Sequence, residues 1–170
     1  MMKKNIVLIG YRGTGKSQVA RRLAARLGMR VLSGDDEIVR RAVCSIPELV
    51  AAHDWEHFRD LESAVVADQA AGSGVILDCG GGAILREANR RALRASGWVV
   101  WLRASPETIR SRIVGNEDRP SLTGKSFLDE ITEVLTEREP IYRECADAEI
   151  QTDGLSLDEV VDAVLSHRPA

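Results

Sequence analysis

Cysteine is scarce in this 170-residue chain and does not cluster. Cys44, Cys79 and Cys145 are odd in number and widely spaced, so they outline neither a disulfide framework nor a metal-ligand pattern. They read as reduced thiols of a cytosolic protein, small apolar fillers in a core. Positive charge is not in excess either. The net charge is −3, which argues against a general nucleic-acid binder with its basic surface. No apolar run approaches the ~20 residues of a membrane span. The opening residues lead directly into a strand, so no signal peptide is expected. Internal repeats, low-complexity tracts and an obvious linker are missing as well. What remains is a single domain over residues 1–170, with the 44% hydrophobic and 29% charged content of a soluble globular protein.

Set into that ordinary background is Gly10-Tyr11-Arg12-Gly13-Thr14-Gly15-Lys16-Ser17, which reads G-x-x-x-x-G-K-S, the phosphate-binding P-loop. Asn5-Ile6-Val7-Leu8-Ile9 before it has the length and β-branching of a buried strand. After it, Val19, Leu23 and Leu27 recur every fourth residue, with Ala20 and Ala24 beside them, as on one helix face. Glycines at 10, 13 and 15 let backbone N–H groups turn inward as a nest for phosphate oxygens, and the helix N-terminus aims its positive end at the same anion. Lys16 is a cation for the outer phosphates and the Ser17 hydroxyl suits Mg²⁺. Thr14 and Gln18 complete the expected nucleotide contacts along this stretch.

Strand and helix signals then alternate. Gly28 caps the first helix. Arg30-Val31-Leu32 is a strand ending in a polar loop, Ser33-Gly34-Asp35-Asp36, with a helix predicted from about Asp36 and Val39 and Val43 on its apolar face. Ser45-x-x-Glu48 is a capping box with Pro47 in the first turn, and a helical pattern continues through Trp55, Phe58, Leu61, Val65 and Val66. Gly74-Val75-Ile76-Leu77 is a third strand, followed by Asp78-Cys79-Gly80-Gly81-Gly82 and a helix over about 86–95. Trp98 to Leu102 is apolar throughout, as a strand buried on both faces should be. Ser105-Pro106 opens a helix carrying Ile109, Arg112 and Ile113. Residues 115–125 are polar and aperiodic and read as a mobile loop. A further helix runs from Phe127 to a predicted end at Arg138-Glu139-Pro140. Glu149-Ile150-Gln151 is a weak strand, and Ser156-x-x-Glu159 caps the last helix. His53 and His57 read as surface residues. The alternation implies an α/β three-layer sandwich with a parallel sheet and ligands at the carboxyl ends of its strands, where the P-loop, residues 33–36 and residues 78–82 converge.

These motifs resemble shikimate kinase, a family within the nucleoside-monophosphate-kinase-like P-loop NTPase group. The resemblance covers residues 5 to about 165 and rests on the P-loop together with Asp35, Phe58-Arg59-x-x-Glu62, Gly80-Gly81-Gly82, Arg119-Pro120 and Arg138-x-Pro-x-Tyr142. It implies a five-stranded sheet of order 2-3-1-4-5, an acceptor-binding subregion at about 33–62 and a lid at about 115–125. It also implies Mg²⁺- and ATP-dependent phosphorylation of the 3-hydroxyl of shikimate by a cytoplasmic monomer, a step towards chorismate and the aromatic amino acids. Lys16, Asp35 and Arg119 would be catalytic. Arg59 and Arg138 would bind the acceptor carboxylate, Asp35 its hydroxyls, and Gly80, Gly81 and Gly82 would let it lie close to backbone. Arg112 would stack on adenine and Arg119, on the lid, would reach the transferring phosphoryl group. Taken singly, Arg59 with Glu62 is a solvated helical pair, Asp35 a helix cap, Gly80–Gly82 a turn, and Arg112 beside Arg110 a solvated face.

Three positions depart from the family pattern. The family's first Asp of Asp-x-Asp is Ser33 here, whereas Val75-Ile76-Leu77-Asp78 has the Walker-B form, three apolar residues and a carboxylate that orients the Mg²⁺ shell. Asp78 is therefore expected to replace the missing charge. Asp54-Trp55 stands where the family commonly has Gly-Glu. The lid carries Arg119 as its one arginine. Two other functions fit the residues: another small-molecule kinase, for gluconate or a nucleoside monophosphate, and a binding protein that has lost catalysis.

Overall fold

The computed structural model describes residues 4–114 and 126–170. Short β-branched runs alternate with helices in the order β1 (Asn5–Ile9), α1 (Lys16–Leu27), β2 (Arg30–Ser33), α2 (Gly34–Ala42), α3 (Ile46–Ala52), α4 (Trp55–Ala70), β3 (Val75–Asp78), α5 (Glu87–Ser96), β4 (Gly97–Arg103), α6 (Pro106–Ile113), α7 (Phe127–Cys145), β5 (Ala148–Gln151) and α8 (Leu157–His167). The five strands form one parallel sheet of order β2-β3-β1-β4-β5.

Alternation along β1 divides the core between two faces. Ile6 and Leu8 pack with Val19, Ala20 and Leu23 of α1 and with Val160, Val161 and Val164 of α8. Val7 and Ile9 pack with Val66 of α4, Leu93 of α5, and Tyr142 and Cys145 of α7. Each fully buried aliphatic side chain contributes about 1.5–3 kcal/mol, so β1 is clamped from both sides where it feeds the P-loop. A separate cluster of Ile38, Ile46, Leu49, Phe58 and Val65 holds α2, α3 and α4 together beside the sheet. Among the described residues no helix is long and apolar enough to cross a membrane.

Four local readings change in the structure. Helix α2 begins at Gly34, because Ser33 is its N-cap and accepts a hydrogen bond from Asp36 N at 3.2 Å. Its buried side chain is Ile38, while Val39 is 39% and Val43 89% exposed. The helical run through residues 46–70 breaks at His53, and Asp54 caps the new helix by accepting from His57 N at 2.7 Å. That cap accounts for the Asp in place of the expected Gly. Helix α7 passes through Pro140 rather than ending there. Pro140 removes a backbone donor, but it lies on the exposed face, and the stretch of helix beyond it, to Cys145, buries Tyr142 and Cys145 in the core. The predicted loop over 115–125 lies outside the described residues. His53 and His57 are exposed, as read, and stack on each other.

Val43 closes α2 with φ 57°, its N–H donating to Val39 O at 2.9 Å. A β-branched residue in the left-handed region is strained, and this one recovers nothing by burial. Val43→Gly is expected to stabilise the chain by about 1 kcal/mol, raising the midpoint by about 2–4 °C for a domain of this size. Calorimetric unfolding of the two proteins checks it; a lower midpoint for the glycine variant contradicts it.

Candidate active site

The P-loop joins β1 to α1, and its shape follows from three glycines with φ of 143° (Gly10), 80° (Gly13) and 92° (Gly15), all in the region L side chains avoid. Thr14 Oγ1 donates to Tyr11 O at 2.8 Å and ties the loop to itself. Lys16 is buried and its ammonium donates to Gly10 O at 2.7 Å and Tyr11 O at 3.0 Å, across the mouth of the nest. Ser17 Oγ donates to Asp78 Oδ2 at 2.6 Å. Asp78 is 8% exposed at the end of β3. Sheet register places Ser33, at the end of β2, directly beside it. The neighbouring strand ends thus divide two tasks: Ser33 caps α2, and Asp78 supplies the carboxylate next to the P-loop hydroxyl.

A cleft of about 1380 Å³ opens over this end of the sheet. Gly13, Thr14, Gly15, Lys16, Ser17, Gln18, Asp35, Asp78, Gly80, Gly81 and Arg112 line it. Arg59, Gly82 and Arg138 adjoin it without lining it. A methyl group on Gly81 would stand 3.6 Å from Arg138 Nη1, and one on Gly82 would collide with the Arg59 guanidinium. Gly80 is equally hemmed in, between Asp35 Oδ1 at 2.9 Å and Glu62 Oε2 at 3.0 Å from such a methyl position. The three glycines therefore lie against Asp35, Glu62, Arg138 and Arg59 in one small region.

Two elements hold that region. From α4, Arg59 donates to Glu62 Oε1 at 2.5 Å, with its guanidinium carbon 5.0 Å and 5.6 Å from the ring centroids of Phe58 and Trp55. Glu62 is 3% exposed, and burial pushes its carboxyl above the usual range while Arg59, Arg138 and Arg86 pull it back. From α7, Arg138 is buried, and Tyr142 one turn on donates its hydroxyl to Gly81 O at 2.5 Å. Burial pushes that phenol up to about 12, so it remains a donor. At the other end of the cleft, Arg112 donates to Gly13 O and Thr152 Oγ1, each at 3.2 Å. Thr152 follows β5, and the rule that ligands gather at strand carboxyl ends is the signal that would have found it. The role of Tyr142 carries no such signal, since only folding brings it to Gly81. Cys79 is buried and its thiol is held protonated by burial. Arg119 lies outside the described residues.

Comparison with known proteins decides the family. The sequence model of the shikimate kinase family matches residues 12–168. The chain belongs to the shikimate kinase family. It is 44% identical over 152 residues to the shikimate kinase of Nitratidesulfovibrio vulgaris, covering 88% of this chain and 87% of that protein. It is 40% identical over 171 residues to that of Rhodopirellula baltica, covering 98% and 91%. Among solved structures, the shikimate kinase of Acinetobacter baumannii in complex with shikimate superposes with a TM-score of 0.93 at 32% identity, over 96% of this chain and 92% of that one. Shikimate kinases are ATP-using phosphotransferases, and this chain carries the whole G-x-x-x-x-G-K-S loop.

The crowding at Gly82 gives a direct test of the acceptor side. Gly82→Ala would push the Arg59 guanidinium from its place; with Arg59 as the acceptor-carboxylate ligand that the resemblance implies, KM for shikimate is expected to rise about tenfold or more. MgADP affinity, which depends on the P-loop, should hold. Steady-state kinetics with calorimetric ADP binding checks both; an unchanged KM contradicts it.

Proposed function

We propose that this chain transfers the γ-phosphoryl group of ATP to the 3-hydroxyl of shikimate, giving shikimate 3-phosphate and ADP. Family membership supports the reaction, and the observation that carries the acceptor side is the convergence of Asp35, Arg59 and Arg138 on Gly80–Gly82 beside the P-loop. A guanidinium fork suits a carboxylate, and a carboxylate suits hydroxyl donors.

In this reading Gly10, Gly13, Thr14, Gly15, Lys16, Ser17 and Gln18 hold the phosphates through loop N–H groups, the ammonium and hydroxyls. Lys16 exchanges its two loop carbonyls for outer phosphate oxygens. Arg112 flanks the base end. Arg59 and Arg138 take the shikimate carboxylate, Gly80 to Gly82 let the ring approach backbone, and Asp35 orients the 3-hydroxyl and accepts its proton. Arg119 supplies positive charge to the transferring group. The donors next to the P-loop are oxygens, a hydroxyl and a buried carboxylate 2.6 Å apart, which suits Mg²⁺ held mostly by phosphate and water oxygens. Ser17 and Asp78 would hold Mg²⁺, which when bound neutralises phosphate charge.

The test is ADP release from MgATP with and without shikimate. Strong shikimate-dependent turnover is expected. Release driven instead by gluconate or a nucleoside monophosphate would move the chain to another acceptor, and ATP binding without turnover would mark a non-catalytic protein.

A further inference from the structure

The P-loop carries a second cation that the phosphate cradle does not explain. Lys16 is turned back onto Gly10 O and Tyr11 O. Tyr11 and Thr14 are buried. Arg12, between them, is half-buried and lines the cleft. Among the described residues its guanidinium meets no carboxylate; its contact is the face of Phe127, 5.7 Å from the ring centroid.

The backbone sets Arg12 at a junction. Its amide nitrogen lies 3.4 Å from the position a methyl group on Gly81 would take, and Arg138 Nη1 lies 3.6 Å from that same point. Residue 12 is thus where the phosphate loop abuts the acceptor loop, and its side chain starts at the seam between donor and acceptor. Arg59 and Arg138 serve the acceptor side of that seam and Lys16 the nucleotide side. An anion passing between them is the phosphoryl group itself.

We propose that Arg12 is a catalytic residue of the transfer, its guanidinium binding the non-bridging oxygens of the phosphoryl group in flight. The proposal rests on the shikimate kinase reading given above. In the step, the acceptor oxygen bonds to the γ-phosphorus as the bond from that phosphorus to the β–γ bridging oxygen breaks. The electron pair leaves with ADP, and the hydroxyl proton goes to Asp35. Arg12 makes and breaks no covalent bond. It offsets charge that spreads over three equatorial oxygens, two of which a guanidinium fork can meet at once. An exposed stack on Phe127 is weak beside a charge-assisted hydrogen bond to phosphoryl oxygen, so the ring is a resting place the side chain can leave.

Arg12→Met keeps a long side chain that can still pack on Phe127, and Arg12→Lys keeps the charge. The native chain and both variants are compared by ADP release, by calorimetric MgADP binding, and by assembly of a complex with MgADP, shikimate and aluminium fluoride, an analogue of the phosphoryl group in flight. For Arg12→Met, kcat is expected to fall about 10²-fold, the size of losing one preorganised donor to transition-state charge. The analogue complex should weaken by a similar factor. KM for shikimate and Kd for MgADP should stay within about threefold, and lysine should restore part of kcat. Unchanged kcat, a defect confined to KM for shikimate, or a matching loss of MgADP affinity each overturns the proposal. They would mark a solvated loop residue, an acceptor-carboxylate ligand and a loop-shaping residue respectively. A native chain that releases no ADP in response to shikimate overturns the underlying reading and the proposal with it, and this is seen before any substitution is made.

Discussion

Asp35→Asn is expected to lower kcat by about 10²–10⁴-fold, the range for removing a positioned general base, while leaving MgADP binding intact. The expectation follows from where the residue sits. Asp35 is in the first turn of α2, but the helix is capped by Ser33, so its frame does not depend on the Asp35 side chain. Its carboxylate reaches the edge of Gly80 alongside Glu62. Asparagine keeps the shape and an acceptor oxygen, and shikimate should still bind with KM raised by about tenfold or less, a lost charge-assisted hydrogen bond being the main term. Chemistry and binding therefore separate. Steady-state kinetics on both substrates, with calorimetry for MgADP, reads the split. If kcat stays within a few-fold of the native value, Asp35 orients the acceptor without taking its proton.

Asp78→Asn should raise the Mg²⁺ concentration needed for half-maximal turnover by about 10–100-fold, the effect typical of losing a residue that orients a metal shell. Asparagine can still accept from Ser17 Oγ, so the 2.6 Å contact survives and only the charge is lost. A Mg²⁺ titration of nucleotide affinity reads this independently of turnover. The register of β2 on β3 supplies a sharper version. Ser33 and Asp78 are lateral neighbours, so exchanging them, Ser33→Asp with Asp78→Ser, moves the carboxylate by one strand. Aspartate is as good an N-cap as serine, and α2 should be unharmed. The exchanged protein should recover much of what Asp78→Ser alone loses, whereas Ser33→Asp in the native background sets two carboxylates side by side and should weaken folding. Identical Mg²⁺ curves for native and Asp78→Asn proteins would remove Asp78 from the metal shell.

The P-loop was readable because its chemistry is local: glycine where backbone must turn the wrong way, then Lys16 and Ser17 at fixed spacing. The sheet order was readable through the family resemblance; Asp35, Arg59, Gly80–Gly82 and Arg138, which the same resemblance proposes for the acceptor, lie together in the structure. The misreadings share one cause. Pro140 is a helix breaker by local rules, yet the burial of Tyr142 and Cys145 beyond it is a tertiary reward no window of sequence displays. Val43 has an apolar side chain and a helical neighbourhood, but the turn into α3 takes it out to solvent. Ser33 as a cap and Asp54 as a cap depend on which residue the chain bends at, a choice settled by packing in the Ile38–Phe58 cluster.

Helix α7 imposes a ruler on this enzyme's evolution. Ile131, near its start, is buried against Ile109 and Ile113 of α6, and Tyr142, near its end, is bonded to Gly81. Each residue of an α-helix turns the chain by about 100° and advances it 1.5 Å. A single insertion or deletion between these two anchors would swing one of them a quarter turn off its partner. Length variation among related sequences should therefore be absent from residues 131–142 and fall outside them, and a one-residue deletion at the exposed Thr132 should harm the enzyme more than substituting any exposed residue of that helix.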